Sequence, residues 1–274
     1  MSSTVQRKRR NRFSLLALSA IVIYVMVGSV LYLLQEKMLF RPTALPQDYV
    51  YAFEHPFEEL FLETEDDARI NALHFRSEKP KGVILYFHGN SGNLARWGEI
   101  TGYFVDLDYD LLVMDYRGFG KSTGPVSEEA LYHDGQQCYD YLLQRYSENE
   151  IIIYGRSLGS AVATHTAADN EPGQLILESP FHSLADVAQV RFPIFPVKGL
   201  LKYELPNNVN LNAVNCPVTI YHGTEDYVVP FKSGQRLYLE SRNGKTDLVP
   251  IEDGGHNDLV TFEAYRKHIQ QLLK

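Results

Sequence analysis

The stretch Gly155-Arg156-Ser157-Leu158-Gly159 follows the apolar run IIIY and precedes SAVATHTAA, a run of small residues suited to a helix. A serine between a strand and a helix, flanked by two glycines, has the context of a nucleophile elbow. Such a turn forces strained dihedrals on Ser157. Gly155 and Gly159 leave space for strand and helix to cross, and the helix N-terminus adds positive potential beside the hydroxyl. A serine hydroxyl is a weak nucleophile, so it needs a base, and the base needs a third group to hold it. His256, in Gly254-Gly255-His256-Asn257-Asp258, lies on a loop before the last helix and is the expected base. His165 and His268 fall within helices, while His182 and His222 follow strands as structural residues. Asp226, after the strand at 218–221, is the expected acid, and Glu178, after the preceding strand, is its rival. A turn or cap role is the alternative for either carboxylate.

Acyl transfer also needs two backbone N–H groups aimed at the developing negative charge. Leu158 should supply one. Asn90, in His88-Gly89-Asn90-Ser91-Gly92-Asn93, should supply the other, with His88 orienting the loop. A second glycine-rich stretch, 115–122 (DYRGFGKS), looks like the end of a phosphate loop. The spacing GxxxxGK[ST] would need glycine at position 115, where the chain has Asp115. There is no GxGxxG after the first buried strand, no HExxH and no spaced His/Cys cluster, so no nucleotide, cofactor or metal is expected. Cys138 and Cys216 are too few for a disulfide framework and read as small buried side chains.

The elements that must hold these residues emerge from hydrophobic patterning. Continuous apolar runs at 82–87, 111–114, 151–154, 175–177, 218–221 and 248–251 predict strands covered on both faces. Between them the pattern predicts helices at 95–106, 127–145, 158–168, 231–240 and 257–273. Strands alternating with helices predict an α/β fold, a mostly parallel central sheet with helices on both faces. Two leading strands, 59–65 and 70–76, add antiparallel pairing at one edge. A short cap insertion is expected between Ser179 and Pro217. Its Phe181, Phe192 and Phe195 are candidates for an acyl pocket or membrane contact, with simple packing against the domain as the alternative.

The first forty residues are of another kind. Residues 13–34 form a 22-residue run without charge, about 33 Å as a helix. It is long for a signal-peptide core and lacks a good cleavage site, so it reads as an uncleaved signal-anchor. A cleaved signal peptide and a buried core helix are the alternatives. Arg7, Lys8, Arg9, Arg10 and Arg12 precede it, which keeps 1–12 cytoplasmic and exports the globular part. The domains predicted are a basic tail at 1–12, the anchor at 13–34, a connector at 35–56 and one globular domain at 57–274. Of 274 residues, 26 are basic and 34 acidic; without those five, 21 face 34, a net −13. A domain that acidic is a poor holder of a phosphate backbone, so no nucleic acid is expected. The absence of an Asn-x-Ser/Thr sequon in the exported part leans toward a bacterial inner membrane with the domain facing the periplasm.

Taken together, HGN, DYRGFGKS, GRSLGS, ESPF, HGTEDYVVP and GGHND make the chain resemble the α/β-hydrolase superfamily. More narrowly, it resembles membrane-anchored serine hydrolases related to the serine-aminopeptidase-like and dienelactone-hydrolase-like groups. The resemblance implies Ser157 as nucleophile, Asp226 as acid, His256 as base and the Asn90 and Leu158 amides as oxyanion donors. It implies an ester hydrolase acting on an acyl or lipid-like substrate. Thioesterase, peptidase and a non-catalytic membrane-anchored binding module are the alternatives, because this fold hosts many chemistries.

Overall fold

The computed structural model describes residues 3–274, with side chains from 11 onward. Eight strands form the central sheet. They are β1 (Phe57–Glu63), β2 (Arg69–Phe75), β3 (Val83–Phe87), β4 (Asp110–Met114), β5 (Ile151–Arg156), β6 (Gln174–Glu178), β7 (Val218–Gly223) and β8 (Thr246–Ile251). Their spatial order is β8-β7-β6-β5-β3-β4-β2-β1. Strands β3 to β8 are parallel to one another. β2 runs antiparallel to both β1 and β4, as the leading pair predicts.

The period of two in a strand divides the apolar residues between two cores. In β3, Val83, Leu85 and Phe87 enter the core under α3 (Glu128–Leu143) and α4 (Gly159–Ala168). Ile84 and Tyr86 enter the other, under α2 (Leu94–Thr101) and α8 (Glu263–Leu272). Helix α7 (Phe231–Glu240) adds Leu237 to the first. Two helices are shorter than the periodicity predicts. α2 tightens to a 3₁₀ turn at Gly102–Phe104. The helix expected from 257 begins at Glu263, because Asp258 caps a separate 3₁₀ turn and Phe262 is extended (ψ 132°).

The N-terminal helix α1 runs from Ser3 to Leu39, longer at both ends than the apolar run. Its Asn11–Leu39 portion is long and apolar enough to cross a membrane, and no residue of its most apolar window is buried. The segment after it is stitched to the domain. Arg41–Pro42 pairs in parallel with Ser91–Gly92, and Phe40 and Tyr51 are buried. The cap consists of α5 (Leu184–Arg191), a 3₁₀ turn at Val197–Gly199 and the short α6 (Asn207–Asn210).

Candidate active site

Ser157 stands where β5 turns into α4. Its φ of +51° lies in the left-handed region that side chains avoid. Neighbours hold the turn: Ser157 N–H donates to Glu178 O (2.9 Å), and Ser160 Oγ donates to Ser157 O (2.6 Å). The crossing needs glycine at 159, where a Cβ would sit 2.1 Å from Phe87 O.

His256 Nε2 lies 2.9 Å from Ser157 Oγ, and His256 Nδ1 lies 2.6 Å from Asp226 Oδ2. Two loops at the carboxyl end of the sheet meet to make this possible. Glu225 N–H donates to Gly254 O (2.9 Å), and Thr224 N–H donates to Ile251 O (3.0 Å). Gly223 permits the approach, since a Cβ there would come within 2.2 Å of Gly254 O. The Asp226 carboxylate is buried. Its Oδ1 accepts the N–H groups of Val228 (2.9 Å) and Val229 (2.8 Å), and His222 Nε2 lies 3.4 Å from Oδ2. Burial alone would raise its pKa. Hydrogen bonds from His222 and His256, the His256 charge and the Val229 amide outweigh burial and hold the carboxyl well below the usual range. An ionised Asp226 can only accept, so in the neutral form of His256 the Nδ1–H donates to it. Nε2 is then free to accept the Ser157 proton.

The rival carboxylate lies elsewhere. Glu178 pairs with Arg156 (Nε to Oε1, 3.2 Å) and accepts the Tyr154 hydroxyl. Arg156 was not singled out by sequence reasoning, yet it ties the end of β5 to the His256 loop. Its Nη2 donates to Asn257 Oδ1 (3.1 Å) and to His256 O (3.3 Å). The visible signal was a cation ending an otherwise apolar strand. His88 is buried, with Nδ1 2.6 Å from Gly89 O and Nε2 3.3 Å from Asp115 Oδ1, the orienting position expected of it. The charges of the 115–122 loop are also engaged within the fold: Arg117 with Asp134, and Lys121 with Glu59. Cys138 and Cys216 are buried, and burial pushes the Cys216 thiol up to about 11.

A cavity of about 440 Å³ opens over Ser157. Asn90 and Leu158 line it beside the serine, and Phe181 and Phe192 line it from the cap. Phe195, expected there, does not line it. It turns to α1 and stacks on Tyr24 with ring centroids 4.8 Å apart, because the helix offers a flat apolar partner. Three contributions were not foreseen. Met38, Leu39 and Arg41 come from the end of α1 and just beyond, Arg191 from the end of α5, and Tyr227 to Val229 from the Asp226 loop.

The serine aminopeptidase (S33) family profile matches residues 78–207. An uncharacterized protein of Mycobacterium tuberculosis is 30% identical over 264 residues, covering 92% of this chain and 94% of that protein. The lysophosphatidylserine lipase of Danio rerio is 33% identical over 211 residues, 68% of this chain and 55% of the lipase. The chain thus spans about half the length of that enzyme. Among solved structures, an esterase of Pyrococcus furiosus superposes with a TM-score of 0.67 at 18% identity, over 86% of this chain and 97% of the esterase.

The chain belongs to the α/β-hydrolase superfamily. The strand order and the crossed strand–turn–helix at Ser157 are those of an α/β-hydrolase, with the serine on the turn after β5, the aspartate after β7 and the histidine after β8.

Proposed function

We propose that the protein is a serine hydrolase that cleaves an ester of an acyl or lipid-like substrate through an acyl-serine intermediate. The observation that carries this reading is the unbroken hydrogen-bonded run from Ser157 Oγ through His256 to ionised Asp226, at 2.9 and 2.6 Å. His256 Nε2 takes the hydroxyl proton as Ser157 Oγ bonds to the ester carbonyl carbon. The Asn90 and Leu158 amides stabilise the oxyanion, and Asp226 stabilises the imidazolium. The C–O bond then breaks as His256 protonates the leaving alcohol. In the second half His256 takes a proton from water as the water oxygen attacks the acyl carbon; the bond to Ser157 Oγ then breaks, the acid leaves and His256 returns the proton to Oγ.

The apolar cap wall and the likeness to lysophosphatidylserine lipases support a lipid-like acyl group. Charge supports an ester over an aminopeptidase substrate. Among the described residues lining the cavity, Arg41 and Arg191 are cationic and none is Asp or Glu. A free α-amino group would meet no counter-charge there, whereas an anionic group would meet two. Helix α1 serves as a single-pass anchor, with the basic tail cytoplasmic and the domain exported. Turnover of matched acyl esters, acyl thioesters and aminoacyl amides by the full chain, with Ser157→Ala as blank, tests the reaction. Ester turnover should fall on the order of 10⁴–10⁶-fold in the blank. Aminoacyl amides turned over faster than esters would refute the reading. A compartment-sensitive reporter fused after Lys274 tests the topology, and a cytoplasmic signal would overturn it.

A further inference from the structure

The cavity over Ser157 is one of three that succeed one another along α1. The second shares Gln35, Met38, Ala188, Phe192 and Leu201 with it and extends to Leu31 and Tyr32. The third, about 570 Å³, shares Tyr32, Phe195 and Leu200 with the second and reaches Tyr24. From Leu39 back to Tyr24 the helix rises about 22 Å. One wall along that length is α1 and the other is the cap. Polar contacts fix the two together. Tyr24 Oη donates to Ile194 O (3.0 Å), Gln35 Nε2 donates to Leu200 O (3.1 Å), and Lys202 N–H donates to Gln35 Oε1 (2.8 Å).

The far end of this groove lies in the apolar run of α1, at bilayer depth when α1 spans a membrane. The cap that borders it suits that position. Val190 and Ile194 are largely exposed, and residues 187–203 contain no acidic side chain, in a globular part that is otherwise strongly acidic.

We infer that α1 and the cap together form the acyl-chain slot of the enzyme, open sideways to the bilayer. The substrate is a membrane-resident amphiphile whose chain lies between Met38 and Ala188 while its ester reaches Ser157. This rests on the ester-hydrolase reading and deepens it. The anchor is then a specificity-determining part of the site as well as a tether. Chain length is read in the middle cavity, the smallest of the three at about 70 Å³, beside Leu31, Met38, Ala188 and Phe192. An acyl chain entering from the leaflet stays in apolar surroundings along the whole route.

The test uses the full chain in phosphatidylcholine vesicles, with p-nitrophenyl esters from butyryl to palmitoyl. Ala188→Trp fills the middle cavity from the cap and Met38→Trp fills it from the anchor. In each variant the ratio of kcat/KM for palmitoyl to that for butyryl should fall about tenfold or more. Fluorophosphonate labelling of Ser157 reports whether the site is still assembled. If one variant no longer labels, the other decides. A ratio within about twofold of the unsubstituted chain, with labelling retained, overturns the slot. Absence of ester turnover by the unsubstituted chain, at every length, overturns instead the ester-hydrolase reading beneath it.

Discussion

Arg156→Met should separate the support of the site from its chemistry. The guanidinium is buried against Glu178, stacks 5.3 Å from the Trp97 ring centroid and holds the His256 loop by two hydrogen bonds. Removing it leaves the Glu178 carboxylate buried with the Tyr154 hydroxyl beside it and no cation. Breaking a buried pair from one side costs about 3–5 kcal/mol. For a domain of this size about 2–4 °C of Tm accompanies each kcal/mol, so the melting temperature should fall by about 6–20 °C. Neutralising both partners, Arg156→Met with Glu178→Gln, removes the orphaned charge and should recover a large part of that loss. The loop would still be untethered in the double variant, so fluorophosphonate labelling of Ser157 should stay slow in both. The assay is thermal unfolding of the full chain in detergent, with the labelling rate beside it. A Tm within about 1 °C of the unsubstituted chain would refute the argument, as would a double variant no more stable than Arg156→Met.

Three further outcomes are expected. Asp226→Asn should lower kcat by about 10⁴-fold by favouring the wrong His256 tautomer, whereas Glu178→Gln should cost far less because Glu178 does not touch His256. The Asp226 carboxyl is depressed on folding, so its contribution to stability is present above the unfolded value of about 3.9 and is lost only as pH falls through the lower folded value. The Tm gap between the unsubstituted chain and Asp226→Asn should therefore hold from pH 8 to about pH 5 and narrow only below about pH 4; a gap that closes above about pH 5 would contradict the depressed carboxyl. Gly159→Ala should abolish expression of folded protein or labelling, since its methyl would meet the Phe87 carbonyl, and a normally labelled variant would mean that the crossing is looser than described.

The reach of the sequence differs from element to element. The buried strands were legible because a strand covered on both faces must be apolar throughout, and VILYF and IIIY leave few other readings. Ser157 was legible because a strained turn at the crossing of strand and helix demands glycine on both sides, a local pattern. Asp226 and His256 followed from loop position and chain order. That Asp226 rather than Glu178 lies within hydrogen-bond distance of His256 depends on how the loops after β7 and β8 meet at Gly223 and Gly254. Phe195 shows the opposite limit. Its type fitted an acyl pocket, but its direction depends on α1, 171 positions away at Tyr24, and no local pattern encodes that stacking. Arg41, Met38 and Arg191 escaped sequence reading for the same reason. Composition and periodicity determine which residues are buried and which turn is strained, because those are properties of neighbours along the chain. Which side chains share the cavity over Ser157, and that the N-terminal helix forms one of its walls, were decided by contacts between segments far apart in sequence.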